Sequence, residues 1–489
     1  MNDLAWRIFH TRYQLPRPRT ADPLINTLGD LDAWLDEHSV PEGQPYLISP
    51  MGHYDIQLNS FFSTELASAP ADTLRAYASD LKLWLTFLWV SRGHKDWRDA
   101  DSDDRAAYKR WRTADPRGPH VQAVTWDREV GTVNQFYRWA LRKKYARQNP
   151  IVQREARDRR TRESRPVPAE LSHTGPRNHL KWLTPTMYRT WRDVGIRGFT
   201  PQGLDDRSFR GRFASRNATY TDVMIRSGMR LCEQTSLSLF ELPRPVPGTA
   251  NTRTWLPSSI AKYGSARTIY FLNTDLVAVH EYIEEERAEA IEVARDEGLY
   301  ERIRNPLIIT DPRRPFVNVD GQRLGVDQLG HAERRRLLIA TPDGLEPAAL
   351  WLNEHGMPSA RSCWQAVFTT ANERCARAGL KVSSHAHQLR HSFAVITLEL
   401  LMRGHIASLG SMNPEQRGAY QRIFGDPVNW LRIRLGHRSR TTTEKYLHTL
   451  QELEWETRQA LIPNDWDAAH VRPEELDDLA PTDMESASA

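Results

Sequence analysis

Hydrophobic positions take on helical spacing from residue 72 onward. In DTLRAYASDLKLWLTFLWVSRG, Leu74, Tyr77, Leu81, Trp84, Leu85 and Leu88 fall on one stripe. That spacing predicts a helix with Asp72 or Thr73 as its N-cap. A second, basic helix is expected around RAAYKRWR, residues 105–112. A third is expected through REVGTVNQFYRWALRKKYARQNP, residues 128–150, stopping at Asn149-Pro150. It would bury Val130, Val133, Tyr137 and Ala140 or Leu141. Its opposite side presents Arg138, Arg142, Lys143, Lys144 and Arg147. The span 53–150 therefore reads as a small helical domain with a basic face. Residues 1–52 form an N-terminal extension of mixed pattern, with one helical candidate at LGDLDAWLDEH.

Periodicity is lost from 151 to 180, where charged residues give way to Pro and Gly, the pattern of an interdomain linker. It resumes at WLTPTMYRTW, where Thr184 as N-cap and Pro185 at the first helical position start a helix. Mixed helix and strand then run from 181 to 463. Two β-prone runs in WLPSSIAKYGSARTIYFLNTDL flank a Tyr-Gly-Ser turn, the signature of a hairpin. SHAHQLRHSFAVITLELL is helical by period, with Leu389, Phe393, Ile396 and Leu400 on its apolar side. Thr441 and Glu444 have the spacing of a capping box. Residues 464–489 are acidic, rich in Ala, Ser and Asp, and are expected to be disordered.

Composition adds three points. A chain of 489 residues is too long for one core. No apolar run approaches the roughly 20 residues of a membrane span, and MNDLAWRIFHTRYQL lacks the apolar segment of a secretion signal. Cys232, Cys363 and Cys375 are scattered, without disulfide or zinc spacing, so a cytoplasmic setting is expected. The formal charge of +4 hides an asymmetry: residues 464–489 hold eight acids against Arg472. The remainder is correspondingly basic, which suits a polyanionic partner.

Several residues could carry chemistry. Arg230 follows the Ser227-Gly228 junction, and Glu233 lies three residues on, able to hold its guanidinium. Lys262 edges the hairpin turn and is the only lysine between Lys181 and Lys381 in an arginine-rich chain. Lysine can give up a proton where arginine cannot. His387 and Arg390 share a helical face, with His391 next to it. His385, His387 and His391 could suggest a metal, but Arg390 stands among them and there is no acidic ligand nearby. Gly436-His437 precedes a helix that carries Tyr446. Taken singly, these are an ion pair, a solvated basic edge and a packing tyrosine.

Taken in order they resemble a known family. SGMRLCE (227–233), AKYGSART (261–268), HQLRHSFA (387–394) and LGHRSRTTTEKYLH (435–448) are similar to the motifs of tyrosine recombinases of the phage integrase type. The resemblance covers roughly 55–460. It implies a mainly α fold with a small antiparallel β-sheet, built as a helical core-binding domain plus a mixed α+β catalytic domain. It implies that Arg230, Lys262, His387, Arg390 and His437 surround a scissile phosphate and that Tyr446 is the nucleophile. AKYGSART matches the family's Gly-Lys-Gly hairpin loosely, and Arg267 competes with Lys262 for that role. By the same resemblance His387 accepts the tyrosine proton, Lys262 protonates the leaving oxygen, and His437 donates to the phosphate. The product is a 3′-phosphotyrosyl bond, formed with no metal and no cofactor. The partners implied are double-stranded DNA with specific sites and three further copies of the chain, as a tetramer whose 450–463 segments dock on neighbours.

The chain departs from that pattern in length. Arg390 and His437 are widely separated, with an extra piece at 403–428, and 297–350 is enlarged. Both are expected to be either extra DNA or protomer contacts or tolerated surface loops, with surface loops the favoured reading. A hairpin telomere resolvase, a type IB topoisomerase-like enzyme and a non-catalytic DNA-binding protein are alternatives on the same scaffold; a metal-dependent nuclease is an alternative of another kind.

Overall fold

The computed structural model describes residues 4–11, 43–157, 164–172, 180–303, 305–319, 321–410 and 426–461, without the side chains of 165, 405–410 and 452–461. The helical candidate at 28–38, the tail beyond 463 and most of the extra piece at 403–428 lie outside the described residues. Among those described, no helix is long and apolar enough to cross a membrane. The chain is mainly helical with small sheets, and it divides into two compact units, Met1–Arg177 and Asn178–Ala489.

In the first unit, β1 (Arg7–His10) pairs antiparallel with β2 (Pro45–Ile48). Four helices follow: α1 (Ile56–Thr64), α2 (Ala71–Ser91), α3 (Ser102–Thr113) and α4 (Ala123–Arg142). Leu81, Trp84, Leu85 and Leu88 are buried as the stripe requires, while Leu74 and Tyr77 pack at its margin. The core is aromatic, with Phe61, Trp84, Trp97, Tyr108, Trp126, Phe136 and Trp139 all buried. The expected cap of α2 is corrected: the helix starts at Ala71 behind Pro70, and Asp72 sits in its first turn. The third expected helix also ends early, at Arg142, because Lys144 turns left-handed (φ 59°) and Tyr145 folds back to donate to the Ala140 carbonyl. The span read as a linker contains a hairpin, β3 (Gln153–Arg157) with β4 (Ser164–Pro168), and belongs to this unit through Arg177. Just beyond it, Glu170 pairs with the buried Arg105 at 2.7 Å.

The second unit opens with α5 (Pro185–Arg192), capped by Thr184 as the sequence indicates. Then come α6 (Ala214–Ser227), the short α7 (Leu231–Thr235) and the hairpin β5 (Asn251–Leu256)/β6 (Arg267–Leu272), paired Leu256↔Arg267. Helices α8 (Asn273–Glu284) and α9 (Glu286–Asp296) lead into the enlarged region. The expectation of surface loops there is overturned. Strand β7 (Leu307–Ile309), hairpin β8 (Phe316–Val319)/β9 (Gln322–Gly325), α10 (His331–Arg334), β10 (Leu337–Thr341) and β11 (Gly344–Pro347) close over a core of their own, including Leu307, Ile309, Val326 and Leu337. Strand β10 runs parallel to β7, so one sheet is mixed. Arg334 locks this piece down by pairing with Glu241 at 2.8 Å.

The chain returns through α11 (Arg361–Arg377), α12 (Ala386–Gly410), α13 (Pro427–Leu435) and α14 (Thr441–Leu461). The buried face of α12 is Leu389, Ala394, Val395 and Leu398; Leu400, assigned inward from its spacing, is 65% exposed. Thr441 is not a cap either. Arg440 is, its carbonyl accepting from Thr443 and Glu444 and its side chain pairing with Glu444.

Candidate active site

Gly228 ends α6 in the left-handed region, φ 67°, and a Cβ on it would fall 2.3 Å from the Phe393 ring. Glycine thus provides both the turn and the close approach of α12. Two residues later Arg230 stands extended at the head of α7, where its backbone N–H donates to Glu233 Oε2 (2.9 Å) and its Nη1 to Oε1 (2.8 Å). Glu233 is fully buried. Arg267 on β6 also donates to it, Nη2 to Oε2 at 2.6 Å and Nη1 to Oε1 at 3.2 Å, and gives its Nε to the Arg434 carbonyl. Burial alone would raise the Glu233 pKa, but Arg267 and then Arg230 hold it down to about 2. This carboxylate joins α7, the hairpin and the end of α13.

Arg390 is 2% exposed and gives Nη1 to the Gly228 carbonyl and Nη2 to the Leu435 carbonyl. It thereby gathers three stretches distant in sequence, with His437 Nε2 at 3.4 Å from its Nη2. Gly436, φ 62°, makes the turn that aims His437 inward, and His437 Nδ1 meets Thr443 Oγ1 at 2.9 Å. Tyr446 is 1% exposed; its hydroxyl lies 2.9 Å from His391 Nδ1, and its ring is parallel to that of His437 at 6.3 Å between centroids.

The charges are unbalanced. Arg230 and Arg267 bond one carboxylate, whose charge Arg390 also feels, and Lys445 lies 5.0 Å over the Tyr446 ring. Burial, then Arg230, lowers Arg390 to about 9. Burial and the Arg390 charge hold His437 at about 3; burial and Lys445 hold His391 at about 3. Both rings are neutral at pH 7. Burial raises Tyr446 to about 12 against the pull of Arg390 and Arg230. Such a pocket is short of an anion.

The structure brings together Arg230, Arg390, His437 and Tyr446. His387 is exposed, one helical turn before His391, with ring centroids 5.4 Å apart. Lys262 is exposed at the hairpin tip, its backbone N–H 3.5 Å from Glu233 Oε1. Arg267, its competitor, is buried in the Glu233 clamp. Sequence reasoning missed His391 as the partner of Tyr446. The face shared by His387 and Arg390 drew attention away from the next residue, and only the packing of α14 on α12 reveals it. Among the described residues no cluster of His, Cys, Asp or Glu could hold a metal.

The family model for the phage integrase N-terminal SAM-like domain matches residues 62–144. Residues 62–144 are thus similar to that domain. On this domain Arg138, Arg142, Lys143 and Lys144 are all exposed, with Arg147 just beyond it. Arg142 is bonded to Glu65 at 2.8 Å. No curated protein sequence matches the chain. Among solved structures, the XerH site-specific recombinase bound to palindromic difH substrate shares 13% identity over 83% of this chain and 85% of that one, at TM-score 0.46. A Tn1549 transposon integrase in complex with transposon right end DNA shares 12% over 83% and 99%, at 0.44. A lambda integrase dimer bound to a COC′ core site shares 12% over 80% and 93%, at 0.40.

Proposed function

We propose that the chain is a site-specific DNA recombinase of the integrase type, cutting and rejoining DNA through a 3′-phosphotyrosyl intermediate. The observation that carries this reading is the joining of Tyr446, His391, His437, Arg390 and Arg230 in one anion-poor pocket. The likeness of residues 62–144 to the SAM-like domain of a phage integrase supports it.

A phosphodiester is anionic and repels nucleophiles. Arg230 and Arg390 keep free N–H donors for its non-bridging oxygens, where charge grows in the transition state. Tyr446 is a poor nucleophile at rest: with a pKa of about 12, ionising it at pH 7 costs about 7 kcal/mol. Its proton must therefore leave as the oxygen attacks phosphorus. Neutral His391, already on the hydroxyl, is placed to accept it, and the incoming phosphate makes a protonated imidazole more favourable there. His437 faces the same pocket and, as the Nε2–H tautomer with Nδ1 accepting from Thr443 Oγ1, donates to the phosphate in place of its contact with Arg390. Lys262, exposed beside the cleft, protonates the departing 5′-oxygen. One ester replaces another, so a 5′-hydroxyl of a second strand can reverse the step without an energy source. Tyr446 is buried before DNA arrives, so the start of α14 opens on engagement. The assembly proposed is a tetramer on two duplex sites.

The test is incubation with a nicked duplex library of random sequence, followed by a denaturing gel. Wild type forms a covalent protein–DNA adduct that EDTA leaves intact, and Tyr446→Phe forms none. Cleavage that persists in Tyr446→Phe and disappears with EDTA would belong to a metal-dependent nuclease.

A further inference from the structure

Tyr263, at the tip of the β5/β6 hairpin, has no packing role among the described residues that accounts for its conformation. Its backbone is left-handed, φ 59° and ψ 26°, a conformation that bulky residues rarely adopt. Its ring is 65% exposed. The contacts it makes are with cations: Lys262 Nζ lies 5.1 Å from the ring centroid and the Arg438 guanidinium 5.4 Å. Arg438 also donates to the Tyr263 carbonyl at 2.7 Å. The tip rests on the turn that aims His437, since a Cβ on Gly436 would lie 3.0 Å from Ser265 Oγ and 3.2 Å from Arg267 Nη1. An aromatic ring is therefore held out at the rim of the pocket, between a cation on the hairpin and a cation next to His437. Hydrogen bonds hold the turn, but burial of the ring does not offset the strain, which leaves the ring free to meet a ligand.

We propose that Tyr263 is a DNA-positioning residue whose ring packs on the deoxyribose and base edge beside the cleaved phosphate, with Lys262 at the cleaved phosphate itself and Arg438 on the next one along the strand. A cation–ring–cation edge matches the phosphate–sugar–phosphate repeat of a strand, and aromatic rings within cationic grooves are a common means of holding nucleic acid. The inference rests on the recombinase reading for the location of the cleaved phosphate.

The experiment compares wild type, Tyr263→Gly, Tyr263→Phe and Arg438→Ala. Glycine relieves the backbone, so the Tm of Tyr263→Gly is unchanged or higher. On a duplex captured from the random library by wild type, Tyr263→Gly binds about tenfold more weakly at every salt concentration, because a ring releases no counterions. Arg438→Ala instead lowers the slope of log K against log salt by about 0.9. Tyr263→Phe behaves as wild type. The proposal is overturned if Tyr263→Gly binds within about twofold of wild type, if its Tm falls, or if phenylalanine is as damaging as glycine. A wild type that captures no DNA counts against the recombinase reading instead. Tyr263 is then judged by binding to the unselected duplex library under the same limits.

Discussion

Replacing Glu233 with Gln removes one charge and keeps the shape. The structure makes the consequence calculable. The carboxylate is fully buried and accepts from Arg230 and from Arg267, whose side chain is 2% exposed. Glutamine retains one acceptor oxygen but turns an N–H₂ toward two guanidinium groups. Arg267 is then a buried charge without a counterion. Breaking a buried pair from one side costs about 3–5 kcal/mol. For a unit of this size that is a fall in Tm of roughly 5–8 °C. The pH dependence has a defined sign. Glu233 has a folded pKa lowered to about 2, so its stabilisation is complete above the unfolded value of about 4.3 and is lost as pH falls toward 2. Glu233→Gln loses that acid limb. The assay is thermal unfolding of wild type, Glu233→Gln, Arg267→Met and the double variant, as a cycle. Coupling of about 2 kcal/mol or more between the two positions is expected. A Glu233→Gln protein within about 1 kcal/mol of wild type, with no coupling, would refute the claim that this carboxylate holds the site together.

Other outcomes follow from the same geometry. His391 and His437 have folded pKa values of about 3; the folded state binds fewer protons, so stability is full above about pH 6.5 and falls as pH drops toward 3. Melts at pH 7.5 and 5 show this fall, partly offset by Asp275, whose pKa, raised to about 6 by burial, acts in the opposite direction; a His391→Asn, His437→Asn double variant flattens the fall. His391→Ala lowers the rate of adduct formation by about 10²–10⁴ while duplex affinity holds; an unaffected rate, with His387→Ala inactive, would move the proton acceptor to His387. Removing Lys143, Lys144 and Arg147 together lowers the slope of log K against log salt by about 0.9 for each phosphate these side chains neutralise, and an unchanged slope would take them off the DNA.

How far the sequence could be read depended on the range of the interaction. Leu81, Trp84 and Leu88 were legible because a helical stripe is local, and so was Thr184, whose cap lies three residues from its donor. The motif positions Arg230, Arg390, His437 and Tyr446 were legible as a resemblance. What joins them was not: Arg390 grips carbonyls at Gly228 and Leu435, and no local pattern records a bond to a backbone atom 162 residues away. The end of α4 was misplaced because the left-handed turn at Lys144 is stabilised by Tyr145 packing on Trp139, not by a Gly or Pro signal. The stripe on α12 slipped because the helix is covered from two sides, by α6 and by α13 with α14, so buried positions are not confined to one narrow face. The enlarged region read as loops because its strands are short, and their core forms only when β7 and β10 pair across the intervening hairpin.

The central claim is that Tyr446 joins DNA. It is tested most directly by trapping the adduct on nicked duplex, digesting with nuclease and protease, and sequencing the nucleotide-bearing peptide by mass spectrometry. The expected result is a nucleotide linked through its 3′-phosphate to Tyr446, with a free 5′-hydroxyl on the released strand. A nucleotide on any other residue, or a released strand carrying a 5′-phosphate with no peptide attached to DNA, would contradict it.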